Sequence, residues 1–466
     1  MNSMLTTIVA GAFVLGVVVL VHEFGHFIVA KMSGIFVKTF SIGFGKKVLR
    51  KKWGDTEYAL SVLPFGGYVK FAGESVYYDE VEASPEDEAG EDEDSDEVPD
   101  RDIPREKYFT TKRPLIRAAV LFAGPFMNYV LAVFLYIGVF AVQGVQVIPT
   151  TQIGEVTSGG AADSVGLAVG DVILAIDGTP VNNWSDVEKP FLEDAFSAKL
   201  FRVDRDGVES DVEFRARSEE DRIRLGFGPH RPAHIGRVQK NKPAHNAGLR
   251  SGAVIEAIND TTVTTYDQVR RIINAHPDQA LYIRWSQDGV VHADSIVPDA
   301  KSVLESPETS EFKTVGVIGI GPQYVRVRES LGASIVGGFN TANNVIVQII
   351  SYLGKLFTGK MGVKTLGGPI LITQMAGDVA NWGFDYLLLF LAFFNINLCI
   401  FNLLPLLPFD GGHLTLLAYE GIMGKPVNRR VREWLTQGGF ILIILLMAFV
   451  LMLDLSRCSG AVSSPF

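Results

Sequence analysis

The sequence predicts a polytopic α-helical membrane protein: about four transmembrane helices, a membrane-associated β-hairpin and two tandem α+β domains. Three observations carry that expectation. Four segments read as spans of a hydrocarbon core of roughly 30 Å, which takes about 20 apolar residues; the fourth is short and leans on its flanks. The 466-residue chain is 47% hydrophobic with a positive mean hydropathy, which suits membrane helices joined to sizeable soluble parts. A 13-residue pattern that begins at Gly166 returns 82 residues later at Gly248.

The first span, within residues 1–32, runs from about Leu5 to Ala30 and contains His22-Glu23-Phe24-Gly25-His26. It has no basic n-region and its apolar run leads straight into the charged motif, so it reads as a retained span, not a cleaved signal. Histidines four apart share one helix face and can grip one metal ion, and Glu23 beside them is placed to act as a general base. HExxH arises by chance in roughly one chain in a hundred of this length. Two histidines and a glutamate at membrane depth are also costly to place. Metal binding therefore outweighs a pair of satisfied core histidines.

Residues 33–113 form the first loop. Glu57–Phe71 reads as two short strands around Pro64-Phe65-Gly66-Gly67, a hairpin signal. Such a hairpin, through Gly66, Gly67 and Tyr68, offers an edge to an extended peptide; packing against the bundle is the alternative. Between Asp79 and Glu106 there are 15 acidic and 2 basic residues, a net of −13, so the rest of the chain carries −10 + 13 = +3. Residues 78–106 lack aliphatic density and are expected to be a disordered, solvated insert. The second span, within 114–143, is roughly Ala118–Val142.

The repeat region follows as residues 144–231 and 232–300. Each copy reads as a glycine turn, a strand, a tight turn at Asp177-Gly178 or Asn259-Asp260, and a helix near Trp184–Phe196 or Tyr266–Ala275. A repeat of this length signals two copies of a domain. The pattern resembles tandem PDZ-like domains, which bind chain ends by β-augmentation; a steric gate without a peptide ligand is the other reading.

Residues 301–384 hold a linker and Leu331–Phe357, whose asparagines among Ile and Val suggest an interfacial amphipathic helix. The third span, within 385–410, is roughly Tyr386–Phe409. Residues 411–466 hold a loop, the fourth span near Gly439–Leu453, and a tail.

A catalytic zinc takes about three protein ligands, so a third must join the two histidines. Ionisable candidates in or near other spans are Asp378, Asp385, Asp410, His413 and Glu420. Asp410 stands out in Asn402-Leu403-Leu404-Pro405-Leu406-Leu407-Pro408-Phe409-Asp410-Gly411-Gly412-His413. The prolines break helix geometry and the glycines permit a sharp turn; irregular backbone at membrane depth is tolerated where it lines a polar cavity. His413, three residues on, is the competing ligand and reads better as a loop residue or as one that supports a ligand from behind. Asn402 and Asn128 each read as a core polar group or as a contact to substrate.

Basic residues set the topology. Lys31, Lys38 and Lys46–Lys52 follow the first span, Lys112–Arg117 precede the second, and Lys425–Arg432 lie between the third and fourth. These loops are expected in the cytoplasm, with both termini and the repeats outside. Two scattered cysteines make neither a disulfide framework nor a metal knuckle. The absence of a basic patch with interleaved aromatics argues against nucleic acid as a partner.

Taken together, HEFGH, PFGGYVKF, AGPFMN, the tandem repeats and NLLPLLPFDGGH resemble the site-2 proteases, most closely their bacterial regulator-of-sigma-E (RseP) type. The resemblance implies an intramembrane zinc metalloprotease of the bacterial inner membrane. By it, His22, His26 and Asp410 would hold one zinc ion, Glu23 would be catalytic and Asn402 would contact substrate. Substrates would be single-span membrane proteins, such as an anti-sigma factor already trimmed by an outer protease, or signal-peptide remnants. The PDZ pair would act as a size filter. Two features depart from the family pattern: the proline spacing and Phe409 before Asp410, and the acidic insert. Outside the resemblance, a membrane-anchored PDZ scaffold with a structural metal is the main rival. A metal transporter ranks last, because further intramembrane carboxylates and histidines are few.

Overall fold

A computed structural model describes residues 3–73, 99–193, 197–215, 226–306, 311–425 and 427–458. Helix α1 (Ser3–Met32) leads into strands β1 (Val37–Trp53) and β2 (Thr56–Phe71), and then into α2 (Pro114–Gln143). Strand β3 (Val145–Val147) opens the repeat region. Among the described residues, four helices are long and apolar enough to cross a membrane: α1, α2 and two that follow the repeats.

The expected hairpin has a different turn. Residues 57–63 and 67–71 do not pair with each other across Pro64–Gly67. Residues 37–44 of β1 lie between them, since Ile42 pairs with both Leu60 and Gly67. The tight turn is at Gly54, whose φ of +62° favours glycine. Residues 47–53 pair with 56–61, so the sheet order is 67–71, 37–44, 57–61, 47–53. Its two edges are therefore 67–71, against α1, and 47–53.

The insert expected over 78–106 lies mostly outside the described residues, but its end is folded. Asp100 pairs with Lys38 at 2.9 Å, Ile103 is buried, and Phe109 stacks on Phe71. Composition concealed this because the ordering contacts come from distant residues of β1 and β2.

The repeat region is two copies of one α+β unit. The first runs β4 (Ile153–Val156), α3 (Ala161–Ser164), β5 (Val172–Ile176), β6 (Thr179–Pro180), α4 (Trp184–Glu193), β7 (Lys199–Arg205), β8 (Val208–Phe214) and β9 (Phe227–Pro229). The second runs β10 (Ile235–Val238), α5 (Pro243–Asn246), β11 (Val254–Ile258), β12 (Thr261–Thr262), α6 (Tyr266–Ala275), β13 (Leu281–Gln287) and β14 (Val290–Ile296). Every one of these elements sits 82 residues after its counterpart, up to β14. The turn chemistry repeats too. Asp177 and Asn259 both have φ near +50°, and their side chains accept from the N–H of Leu200 and Tyr282. A β15–β16 hairpin (Asp299–Ser306, Glu311–Val317) then precedes β17 (Ile320–Pro322), which pairs with β10, and β18 (Val325–Val327), which pairs with β3.

One contact is private to the first unit. Arg205 forks both oxygens of buried Asp171 at 2.6 and 2.7 Å, and the Ala168 N–H donates at 2.9 Å. Burial pulls the Asp171 carboxyl up, but Arg205 and Ala168 outweigh it and hold the group below the ordinary carboxylate value. The unfolded value is about 3.9, so this stability is full above that pH and is lost as pH falls through the folded value. In the second unit the position is Ala253. We expect Asp171→Asn to cost the first unit about 2 kcal/mol, a figure kept low because Arg205 is half exposed. Temperature-stepped proteolysis of the full chain reads each unit. Equal melting of mutant and wild-type first units would refute the expectation.

After β18 come α7 (Leu331–Phe357), α8 (Pro369–Trp382), α9 (Phe384–Asn402), α10 (Asp410–Met423) and α11 (Arg429–Cys458). Helix α7, expected as an interfacial amphipathic helix, is packed against the bundle. A Cβ at Gly338 would lie 2.6 Å from Ile137 of α2, and Asn343 accepts from the Tyr129 hydroxyl at 3.1 Å. Ala342 and Ile349 share a buried cluster with α2 and α9. Small residues let these backbones approach, as membrane helices do, and the polar side chain has a partner in the bundle. Helix α8 packs on α1, with Gly377 against Thr7 and Thr373 against Gly11. Asp454 of α11 accepts from the N–H groups of Gly368, Ile370 and Leu371 at the start of α8, at 3.1–3.2 Å. The third span also ends earlier than expected: α9 stops at Asn402, and Asp410 opens the next helix.

Candidate metal centre and active site

Helix α1 presents His22, Glu23 and His26 on consecutive turns because its apolar run is uninterrupted. What faces them is α2, brought unusually close by two glycines. A Cβ at Gly25 would lie 2.3 Å from the Ala123 carbonyl oxygen, and one at Gly124 would lie 2.3 Å from His26 Nε2. The helices therefore cross with backbone touching backbone, directly behind the imidazoles.

Asp410 arrives from the other side. The chain turns after α9 through residues 403–409 and starts α10 with Asp410 in its first turn. Gly411 and Gly412 lie flat on that turn; a Cβ at Gly411 would be 2.3 Å from the Leu403 carbonyl oxygen. Asp410 Oδ2 then sits 3.2 Å from His22 Nε2 and 3.4 Å from His26 Nε2, with the two Nε2 atoms 3.1 Å apart. A tetrahedral zinc with ligands at about 2.0–2.1 Å has edges of roughly 3.3–3.4 Å between donors. The three atoms thus span one face of such a tetrahedron and leave a fourth corner for water or substrate. Two imidazoles and one carboxylate are a donor set that suits zinc. Among the described residues this is the one His/Cys/Asp/Glu group whose ligand atoms converge this way.

Second contacts aim the ligands. His26 Nδ1 lies 2.8 Å from the Val120 carbonyl oxygen of α2, so Nδ1 donates and Nε2 is left for the metal. His22 Nδ1 lies 3.4 Å from the amide nitrogens of both Asn128 and Asn402. With Nε2 on a metal, Nδ1 carries the proton and needs an acceptor. Asn128 Oδ1 is buried without a hydrogen-bond partner, and a half-turn of that amide supplies the acceptor.

A cavity of about 280 Å³ opens on this centre, and its wall includes Glu23, Gly67, Tyr68, Val69, Asp410 and Arg117. The Glu23 carboxylate accepts from the Val69 backbone N–H, so the 67–71 edge of the sheet faces the glutamate. Gly67 is pressed between Ser41 and Glu23, with room for no Cβ. Arg117 pairs with Glu420 of α10 at 2.5 Å, which joins α2 to the helix that begins with Asp410.

Of the residues singled out in the sequence, His22, Glu23, His26, Asp410, His413, Gly67 and Tyr68 meet at this cavity. His413 is on helix α10, not in a loop, because the helix opens at Asp410, and it is not among the three converging donors. Gly66, Asn402 and Asn128 do not line it. Asn128 has no exposed surface and touches His22 instead, which favours an orienting role over contact with substrate. Sequence reasoning missed Gly124, Val120, Val69 and the Arg117–Glu420 pair. Only Gly124 had a signal, since a glycine before Pro125 in a span asks for a close approach.

Comparison with known proteins adds the following. The profile of peptidase family M50 matches residues 10–446. The regulator of sigma-E protease RseP of Salmonella typhimurium is 33% identical over 98% of this chain and 100% of its own length. RseP of Escherichia coli K12 is 33% identical over 95% and 97%. A Vibrio cholerae protein assigned as a zinc metalloprotease is 32% identical over 98% and 100%. Among solved structures, the PDZ domain of an SdrC-like protein from Listeria monocytogenes aligns with 20% of this chain and 90% of its own. The identity is 14% and the TM-score 0.16, too slight a likeness to carry weight.

Proposed function

The chain belongs to peptidase family M50 and is a zinc metalloprotease, and from that premise we propose that it cleaves the transmembrane segments of single-span membrane proteins within the bilayer. One observation carries this reading: the three converging donors stand on or beside helices apolar enough to span a membrane. His22, His26 and Asp410 hold the zinc ion. When bound, zinc supplies a Lewis acid and lowers the pKa of water, to about 7 in known sites.

The chain's own residues do the rest. Glu23 takes a proton from water and returns one to the leaving amine. The open edge at Gly67–Phe71 receives the substrate as an added strand, which keeps its peptide bonds extended and reachable. Asn402 lies outside the cavity wall, with its amide 3.4 Å from His22 Nδ1, and reaches the substrate backbone only where the substrate passes beside that ring. Asn128 holds His22 in the ligating orientation.

The basic loops support a cytoplasmic placement for the sheet and α10, with the termini and the repeat units outside. The bacterial inner membrane suits this. The two repeat units are PDZ-type domains that act as a size filter. Relatives named for sigma-E regulation support an anti-sigma factor, trimmed beforehand by an outer protease, as the substrate class.

Purified protein in liposomes with a single-span substrate tests the reading. We expect one zinc per chain, loss of cleavage on treatment with 1,10-phenanthroline, and recovery on adding zinc. Cleavage that survives complete removal of metal would overturn it.

A further inference from the structure

The second repeat unit touches the membrane helices at one unusual point. Arg237, on β10, projects its guanidinium into three aromatic rings, 4.1 Å from the centre of Tyr386, 5.4 Å from Trp382 and 5.9 Å from Tyr324. Its Nη1 is buried with no hydrogen-bond partner, so the rings are what offsets its lost hydration. Two of the three rings belong to the membrane part: Trp382 ends α8 and Tyr386 lies in the first turn of α9.

The surroundings divide into a fixed stem and a separable contact. The chain enters the repeats through β3 and leaves through β18, and these two strands pair with each other. Gln146 of β3 donates to the Tyr386 hydroxyl, and Arg326 of β18 pairs with Asp385. The stem therefore stays on α9 and holds the Tyr386 ring in place. Beyond the stem, the described polar contact from the second unit to α8 is a long one, Gln239 to Asp378 at 3.3 Å. A single part-buried hydrogen bond of that length contributes modestly. The cation inside the aromatic cage is the part that resists separation.

We propose that Arg237 is a positioning residue that pins the second repeat unit onto the outer ends of α8 and α9, and that this pin sets how strictly bulky substrates are refused. The proposal rests on the size-filter reading above. With the pin in place the unit overhangs the bundle; without it the unit pivots on the β3–β18 stem, which has its own ties to α9.

The test uses the full chain with two single-span substrates that differ only in a folded outer domain. Arg237→Ala is expected to raise the ratio of untrimmed to trimmed cleavage about tenfold, the factor carried by one desolvated cation–π contact. Arg237→Lys should restore part of the discrimination. Trp382→Ala should match Arg237→Ala, and the double variant should add nothing further. In a chain with both native cysteines changed to serine, a short bismaleimide should link Gln239→Cys to Asp378→Cys, and Arg237→Ala should lower that yield. A variant lacking residues 153–322 separates the two ideas. If it loses discrimination while Arg237→Ala keeps it, the pin is refuted and the filter stands. If it keeps discrimination, the filter itself falls. Equal loss of cleavage for both substrates in Arg237→Ala would mean a merely structural role and would also refute the pin.

Discussion

Glu23→Gln should lose about 10²- to 10⁴-fold in cleavage rate, the usual contribution of a positioned general base, while still binding one zinc ion. The substitution keeps the side chain's size. Its amide oxygen can still accept from the Val69 N–H, as the carboxylate does. Glu23 is not among the three converging donors, so the metal should remain. What disappears is the group that accepts a proton from water. The measurement pairs two readouts on one preparation: zinc per chain by elemental analysis, and cleavage of a co-reconstituted single-span protein. Wild-type cleavage by a zinc-loaded Glu23→Gln protein would sink the proposed mechanism. A scaffold with a structural metal would show no cleavage by either the wild-type or the variant protein.

Gly124→Ala should strip the metal from an otherwise intact bundle. The added Cβ would stand 2.3 Å from His26 Nε2 and 2.9 Å from His22 Cε1. No relaxed structure keeps such a contact, so something must move. The His26 ring is tethered through Nδ1 to Val120 on the same helix as Gly124. Separating the helices would release the crossing at Gly25, whose position touches Ala123. The easier response is for the imidazoles to leave their converging geometry. Loss of groups that only orient ligands costs about 10- to 100-fold in metal affinity; a direct clash should reach the upper end, about 100-fold. The helix itself gains slightly, since alanine is the better helix former by about 1 kcal/mol. Gly138→Ala on the same helix meets nothing within 4 Å and serves as the control. Competition with a calibrated chelator measures both. Unchanged zinc affinity in Gly124→Ala would show that the crossing tolerates a methyl group and that the imidazoles are held otherwise.

The contrast between these residues shows how far the sequence reaches. Glu23 is legible because its partners His22 and His26 lie within one helical turn, where spacing alone decides what shares a face. The repeat units are legible for the same reason: a fixed offset of 82 residues reproduces every turn and strand through β14. Gly124 is different. Its importance depends on which helix crosses α2 and at what height, and a single glycine does not state that. The segment 57–71 misled because Pro64–Gly67 is good turn chemistry, yet the strand that pairs with both halves comes from residues 37–44. The bundle partner of Asn343 on α7 was not legible because that partner, Tyr129, lies 214 residues away.

By itself the sequence determined what is periodic or contiguous: the spans, the duplicated units, the HExxH face and the acidic insert. These follow from the 3.6-residue helix period, the two-residue strand period and the length of a bilayer crossing. Only the tertiary structure decided how donors from residues 22, 26 and 410 come within 3.4 Å of one another. It also decided which sheet edge faces Glu23, and which rings close on Arg237. Those are contacts between surfaces far apart along the chain. They are set by close packing of whole helices, where one missing Cβ changes the distance between two backbones, and no local period encodes that distance.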